Sequence, residues 1–417
     1  MKAIRLSSNE TFSNKELIVQ LSGSKSESNR ALIIAELCTD KVLLSGLSNS
    51  DDTNKLLEIL KNLNNSDTVD VGPAGTTLRF LLAYFFIKKQ KKTLTGSSRM
   101  KERPIGLLSD ALEILGAEIS YSEKKGYPPI SLTGFKTVST NHLSIDASVS
   151  SQFISAILLI APLLPNGVII NLVGKISSLS YIEMTLDIMS LFGIISQKTE
   201  KQIQIKPQVY QSKNFSVEPD WSSLSYWYSL MAISEFNEIN FPGFRQTSKQ
   251  GDRIIAEIML QLGVETLFEE NGVRLLKSKK LVNLIELDFT NCPDLAPTVI
   301  VCCAALGVNG IFTGLESLRI KECDRITALE NELKKFDVQF HENKSGKHEL
   351  HTTGFIMNSE VIIETYQDHR MAMAFAPLVF TQKLVVIENP DVVSKSYPQF
   401  WEHLGLLNLD IKSIDIN

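Results

Sequence analysis

With 417 residues, 43% of them apolar, the chain is longer than one hydrophobic core usually serves, and two domains are expected. A net charge of −5 excludes a surface made for nucleic acid, which needs a broad basic face, so any anion-binding role must be local. The N-terminus, MKAIRLSSNE, lacks the apolar core of a signal peptide, and the greasy stretch from Ala156 to Leu164 is interrupted by Pro162, Pro165 and Gly167 before it reaches membrane length. A cytoplasmic chain with no membrane partner is expected.

Six turns of small or polar residues open apolar helices, near Ser24, Ala74, Ser150, Ser222, Asp294 and Asp368. Each is followed by a second helical segment, starting near Asp51, Arg103, Tyr181, Gln250, Lys321 and Tyr397, with apolar residues at i, i+3, i+4 and i+7. LGAEI at Leu115, FGI at Phe192 and LGVE at Leu262 place a glycine as a helix C-cap, and FDV at Phe336 puts aspartate there instead. The β-branched runs ISLTG, VIINLVG, INFPGF, IFTGL and LVVIENP read as strands. Six α/β units of about 70 residues result, three to a domain. With crossovers near Leu21 and Asp220, residues 1–21 plus 221–417 form one discontinuous domain and residues 22–220 the other.

The five cysteines show no metal-type spacing, and Cys302 and Cys303 are adjacent, so reduced and mostly buried thiols are expected. Of the six histidines only His348 and His351 are close in sequence, and a solvated loop is expected for them. No metal and no cofactor is expected.

Helix N-termini facing one cleft would favour polyanions, because their backbone N–H groups are unpaired and carry the positive end of the dipole. The residues at these starts have the chemistry to assist. GSKSESNRA supplies Lys25, Ser26 and Arg30, and because Ser24 separates Gly23 from Lys25 it is not a Walker phosphate loop; Ser24 or Ser26 can cap the helix. GPAGTTLRF brings Gly75, Thr76 and Arg79; RMKERPIG brings Arg99, Lys101 and Arg103, with Pro104 suited to a helix N1 position. SVSSQF offers Ser150, Ser151 and Gln152 as neutral donors, and Ser178 and Tyr181 precede the helix YIEMTLDIM. In the C-terminal half, Asp294 stands where a helix cap would. Lys321 and Arg325 flank Glu322 at i,i+4, a spacing that repels on one helical face unless an anion lies between them. QDHRMAMAF adds Asp368, His369 and Arg370, and KSYPQF adds Lys395. Taken singly, each has an ordinary alternative as a cap or a solvated charge.

In their order, GSKSESNRA, AGTTLR, RMKERPIG, SSQF, SLSYIE, PD, RIKECDR, DHRMAM and KSYPQF resemble the 5-enolpyruvylshikimate-3-phosphate (EPSP) synthase family of enolpyruvyl transferases, nearly end to end. The resemblance implies an α/β fold of two domains, an inside-out α/β barrel with three βαβαββ repeats in each and the active site in the interdomain cleft. It implies transfer of the enolpyruvyl group of phosphoenolpyruvate to the 5-hydroxyl of shikimate 3-phosphate, on the route to chorismate and aromatic amino acids; a monomer is expected. Lys25, Ser26, Arg30, Ser150, Ser151, Gln152, Ser178, Tyr181, Asp294, Ser317 and Lys321 match contacts to shikimate 3-phosphate. Lys25, Gly75, Arg103, Gln152, Arg325, Arg370 and Lys395 match the phosphoenolpyruvate cradle. Lys25, Asp294 and Glu322 match its catalytic groups. The family is inhibited by glyphosate at the phosphoenolpyruvate position, and a glycine at Gly75 goes with the sensitive form.

Together the substrates bring roughly six negative charges, which the seven cations Lys25, Arg30, Arg103, Lys321, Arg325, Arg370 and Lys395 nearly balance. Two positions depart from the family pattern: Pro73 and Ser317 each stand where asparagine is common. The related transferase acting on a UDP-amino sugar usually carries a cysteine before its arginine–proline pair, and TGSSRMKERP has none. A catalytically silent metabolite-binding relative would have lost a carboxylate or a phosphate ligand, yet Asp294, Glu322, Arg103, Arg325 and Arg370 are all present. An RNA-end-processing enzyme of similar repeat fold would need a nucleotide-binding feature and a nucleophilic histidine.

Overall fold

A computed structural model describes residues 2–8, 17–63, 65–148, 150–352 and 355–416. The chain divides into a central unit, Gly23–Val217, and a split unit formed by Met1–Ser22 with Glu218–Asn417.

In the central unit the strands Thr68–Asp70, Thr93–Thr95, Ile130–Phe135 and Ala117–Tyr121 form one sheet in that order, the first pair parallel and the others antiparallel. His142–Asp146, Val168–Val173, Gln202–Ile205 and Ser196–Lys198 repeat the same pattern. The third repeat is smaller than the expected βαβαββ: Leu44–Ser45 pairs only with Phe215–Ser216, in parallel.

The split unit holds the same pattern in Leu284–Asp288, Asn309–Thr313, His348–His351 and Gln339–Glu342. In its last sheet, Val361–Ile363 and Val385–Glu388 are joined by Lys2–Ser8, which pairs antiparallel with both Val385–Glu388 and Leu409–Asp415. The N-terminal strand thus fills a place that the other repeats fill from their own sequence. In the remaining sheet, Glu238–Pro242, Gly272–Lys277 and Val264–Glu269, a single parallel bridge from Ile18 to Asn240 stands where a first strand would be.

Several of the repeats open on a mostly apolar helix that is buried along most of its length, as a helix without a polar face must be, whereas Lys25–Leu37 is mixed and leaves Glu36 exposed. Every residue from Ala296 to Ala304 is buried, as are all seven of His369–Phe375 and all of Ser151–Ile160 except Gln152. Polar side chains collect at the N-terminal ends, where the chain emerges. Among the described residues no helix is long and apolar enough to cross a membrane, and all five cysteines are free thiols.

Glycine C-caps occur where the sequence places them: Gly116, Gly193 and Gly263 follow their helices at φ of 105°, 85° and 95°. Asp337 takes the equivalent place at φ 58°, a conformation that short polar residues tolerate better than others.

Several local expectations are corrected. The helix expected near Ser222 starts at Trp221 and is capped by Asp220, whose carboxylate accepts from Ser223 N at 3.0 Å. Pro104 is not at N1, because the next helix starts at Gly106 after Ile105. Ser178 is itself the N-cap of Leu179–Leu191, so Tyr181 lies inside that helix. His348 and His351 are not in a loop but in a strand, where an odd spacing sends His348 inward and His351 outward.

Gly116→Ala is expected to destabilise the chain by more than about 1 kcal/mol, since a Cβ there would meet Lys136 O at 2.3 Å. Asp337→Gly, which relieves a left-handed residue, should match or exceed parental stability. Urea midpoints of the two variants against the parent check the pair.

Candidate active site

In the split unit, the fully buried Arg325 gathers three carboxylates. Its Nε donates to Asp368 Oδ2 at 2.7 Å, Nη1 to Asp294 Oδ1 at 3.1 Å and Nη2 to Glu322 Oε2 at 2.8 Å. Asp368 also caps His369–Phe375 by accepting from Arg370 N at 2.9 Å, which sets Arg370 at the helix start. Arg370 then returns to Asp294: Nη2 lies 2.9 Å from Oδ2 and Nη1 donates to the Asp294 carbonyl at 3.1 Å and to Tyr226 OH at 3.3 Å. Lys395 Nζ is 2.9 Å from Glu322 Oε1, and Lys321 Nζ is 3.8 Å from Asp294 Oδ1.

Two expectations change here. Asp294 lies in the short 3-10 turn Pro293–Leu295 and caps no helix; its carboxylate is spent on cations. Lys321 and Arg325 do not share a helical face, because Lys321 is extended at ψ −148° and the helix Arg325–Lys334 begins only after its cap Asp324. The anion between the two cations is the Asp294 carboxylate itself. Ser317 stands apart from this cluster, in the turn Glu316–Ile320, with its hydroxyl buried and without a hydrogen bond.

Desolvation would raise the Asp294 carboxyl, but Arg370, Lys321 and Arg325 outweigh it and hold it well below the ordinary carboxylate range. Arg325, despite burial, is held more firmly protonated than usual by Asp368, Glu322 and Asp294. Asp252 behaves oppositely: burial, then Asp294, pushes it up to about 7 against the pull of Arg370 and a hydrogen bond from Ser222.

In the central unit two groups form. Lys25 opens the helix Lys25–Leu37 behind its cap Ser24, and its Nζ lies 3.5 Å from Asp52 Oδ2. Arg30 is buried one turn on. It donates to Thr185 Oγ1 at 2.7 Å, Ser26 O at 2.8 Å, Ser155 Oγ at 3.2 Å and Tyr181 O at 3.1 Å, under the Tyr181 ring. Burial lowers its pKa to about 10.

The second group surrounds Gly75. Its helix, Gly75–Ile87, starts at Ala74 with no side-chain cap, and a Cβ on Gly75 would lie 2.7 Å from Arg103 Nη1. Glycine is needed there so that the guanidinium can lie against the helix start. Two positive groups so placed favour an anion beside them. Buried Arg79 fixes the arrangement by donating to Gly75 O at 2.8 Å and Pro104 O at 2.9 Å. Gln152 Nε2 reaches Thr76 Oγ1 at 3.3 Å, while Ser150 caps Gln152 N at 3.3 Å. Ser151 and Ser178 are buried at their own helix starts, Ser178 at φ 57°. A cavity of about 300 Å³ lined by Asp51, Asp52, Lys55, Glu58, Pro73 and Ala74 carries more carboxylates than cations, which suits no polyanion.

Asp52, Tyr226 and Asp252 are additions to the residues singled out from sequence. Asp52 is hidden in a pair of aspartates at a helix start, Tyr226 in an apolar helix, and Asp252 in a short basic-acidic turn; each gives an ordinary local signal.

In each unit, buried helices carry arginines, lysines and carboxylates at their polar starts, a chemistry that suits small anions. A family model described as EPSP synthase (3-phosphoshikimate 1-carboxyvinyltransferase) matches residues 12–68 and 64–404. A protein named 3-phosphoshikimate 1-carboxyvinyltransferase from Bacteroides fragilis is 42% identical over 395 residues, covering 94% of this chain and 96% of its own. One of the same name from Escherichia coli is 34% identical over 417 residues, with the same coverage. An EPSP synthase structure from Acinetobacter baumannii has the same fold, with a TM-score of 0.82 at 20% identity and complete coverage of both chains. The chain belongs to the EPSP synthase family.

The raised Asp252 gives a pH dependence. The unfolded carboxyl ionises near 3.8 and the folded one near 7, so between these values the folded chain keeps a proton that the unfolded chain has lost. Stability from this group therefore falls as pH rises through that window. Asp252→Asn is expected to flatten the decline between pH 5 and pH 8, measured as urea midpoints; an identical slope in parent and variant would assign the proton elsewhere.

Proposed function

We propose that Asp294, Glu322 and Lys25 carry the chemistry by which this chain transfers the enolpyruvyl group of phosphoenolpyruvate to the 5-hydroxyl of shikimate 3-phosphate, releasing phosphate. The observation that supports this most is the Arg325 cluster, in which one buried guanidinium fixes Asp294 and Glu322 while buried Arg370 and the more accessible Lys321 and Lys395 pair with the same two carboxylates. Shikimate 3-phosphate is assigned to Lys25, Ser26, Arg30, Ser150, Ser151, Gln152, Ser178, Tyr181, Asp294, Ser317 and Lys321. Arg30 spends four N–H groups inside the protein, which leaves one on Nη1 for that contact. Phosphoenolpyruvate is assigned to Lys25, Gly75, Arg103, Gln152, Arg325, Arg370 and Lys395.

The 5-hydroxyl attacks C2 of phosphoenolpyruvate as C3 takes a proton, giving a tetrahedral adduct that then loses phosphate from C2 and a proton from C3, which restores the double bond. Asp294 accepts the hydroxyl proton, Glu322 handles the proton at C3, and Lys25 assists departure of phosphate. A carboxylate held as low as Asp294 is a weak base. Substrate anions that draw Arg370 and Lys321 away raise its basicity, so the base is strengthened only when the substrates are bound.

Phosphate release is expected only with both substrates present. Equal turnover with a UDP-amino sugar acceptor would overturn the assignment. Glu322→Gln and Asp294→Ala should each slow turnover by about a hundredfold or more while shikimate 3-phosphate still binds by calorimetry; loss of that binding in Glu322→Gln would remove its catalytic role.

Glyphosate is assigned to the phosphoenolpyruvate position. Gly75→Ala would place a methyl group against the guanidinium of Arg103, which must shift to make room. Inhibition should weaken more than substrate affinity in this variant. Inhibition of the parent that is not competitive with phosphoenolpyruvate, or an unchanged preference in Gly75→Ala, would place Gly75 outside the site.

A further inference from the structure

We propose that His341, Glu349 and His351 form a surface binding site for a borderline first-row divalent cation of the zinc class. The site is carried by two antiparallel strands of the split unit, Gln339–Glu342 and His348–His351, in which His341 stands opposite Glu349 and Gln339 opposite His351. Glu349 and His351 are two residues apart and so share a face, and His341 joins that face from the neighbouring strand. One donor atom from each of the three lies within 4.8 Å of the others. The two imidazole rings stack at 5.7 Å between centroids, and His351 Nε2 is 3.3 Å from Glu349 Oε2.

The carboxylate is also held from behind. Asn343 Nδ2 donates to Glu349 Oε1 at 2.6 Å, leaving Oε2 toward His351. Asn343 is itself locked in the connecting turn, where its Oδ1 accepts from Ser345 N at 2.9 Å and Lys347 N at 3.1 Å. Hydrogen-bonded carboxylate ligands of this kind are a regular feature of metal sites. Two imidazoles and one carboxylate, with water as a fourth ligand, suit zinc, whereas magnesium and calcium prefer all-oxygen sets. Small side-chain rotations close the present donor spacing to that of ligands about 2.0–2.2 Å from one ion. His348 faces the interior on the opposite side of its strand and takes no part. None of these residues is assigned to substrate, so the site stands independently of the catalytic reading.

An ordinary exposed histidine–glutamate pair would bind no metal, and this alternative is separable. Isothermal titration of the full chain with zinc chloride, beside magnesium chloride, is expected to show one zinc per chain and no magnesium. His341→Ala and His351→Ala should each weaken zinc binding by at least about tenfold, and Asn343→Ala by about tenfold through the freed carboxylate. Phosphate release by metal-free His341→Ala and His351→Ala should match the parent. Should a variant fold poorly, cobalt added to the parent provides the test without substitution, by selective broadening of the His341 and His351 imidazole NMR signals. Absence of zinc binding, binding that survives both alanine variants, broadening at other histidines only, or binding abolished by Cys323→Ser would each overturn the site.

Discussion

The guanidinium of Arg325 is the constraint on which the split-unit site depends. With 1% of its side chain exposed, and Asp368 at 0%, the pair lies where neither charge could persist alone. Removing one member of such a pair costs on the order of 3–5 kcal/mol, because the other remains buried and uncompensated. The same guanidinium reaches Asp294 in one turn and Glu322 in another, so a single desolvated cation fixes three chain segments. Lysine could not replace it, since the bonds leave a planar fork in several directions.

Arg30 and Arg79 perform related work in the central unit. Arg30 ties the helix start bearing Lys25 and Ser26 to Ser155, Tyr181 and Thr185, and Arg79 ties Gly75 to Pro104 beside Arg103. In each case a buried arginine fixes backbone near a more accessible group. The division explains how a rigid scaffold can present adaptable cations: positions are set inside, while Lys321, Lys395 and Lys25 keep flexible, partly exposed ends.

Much of this was legible because it is local. Apolar helices, β-branched strands and glycine C-caps are written in consecutive residues, and FDV placed a left-handed aspartate at Asp337 as glycine stands elsewhere. The pairing of Asp294 was not legible, since its partners lie 27, 31 and 76 residues further along the chain, at Lys321, Arg325 and Arg370. Read locally, Asp294 was a helix cap and Lys321 a helical neighbour of Arg325; tertiary pairing overrode both. Asp252 escaped notice for the same reason, because its environment is made by burial and by Asp294. The histidine pair was misjudged by counting sequence distance, when strand alternation separates His348 from His351 and cross-strand register joins His351 to His341.

An acidic chain can hold a concentrated cationic site because the site supplies its own counter-ions. Without substrate, Lys25 rests on Asp52, Lys395 on Glu322, and Arg370 on Asp294. Self-repulsion is thereby limited, and anionic substrates must compete with internal carboxylates for each cation. On the proposed assignment, any contact so exchanged would yield less net affinity than a free cation, but it would also take from Asp294 a partner that holds its carboxyl low. In the central unit, Pro73 supplies neither a side-chain amide nor an N–H. The uncapped start at Gly75 and the adjacent Arg103 are then what this part of that unit offers an anion.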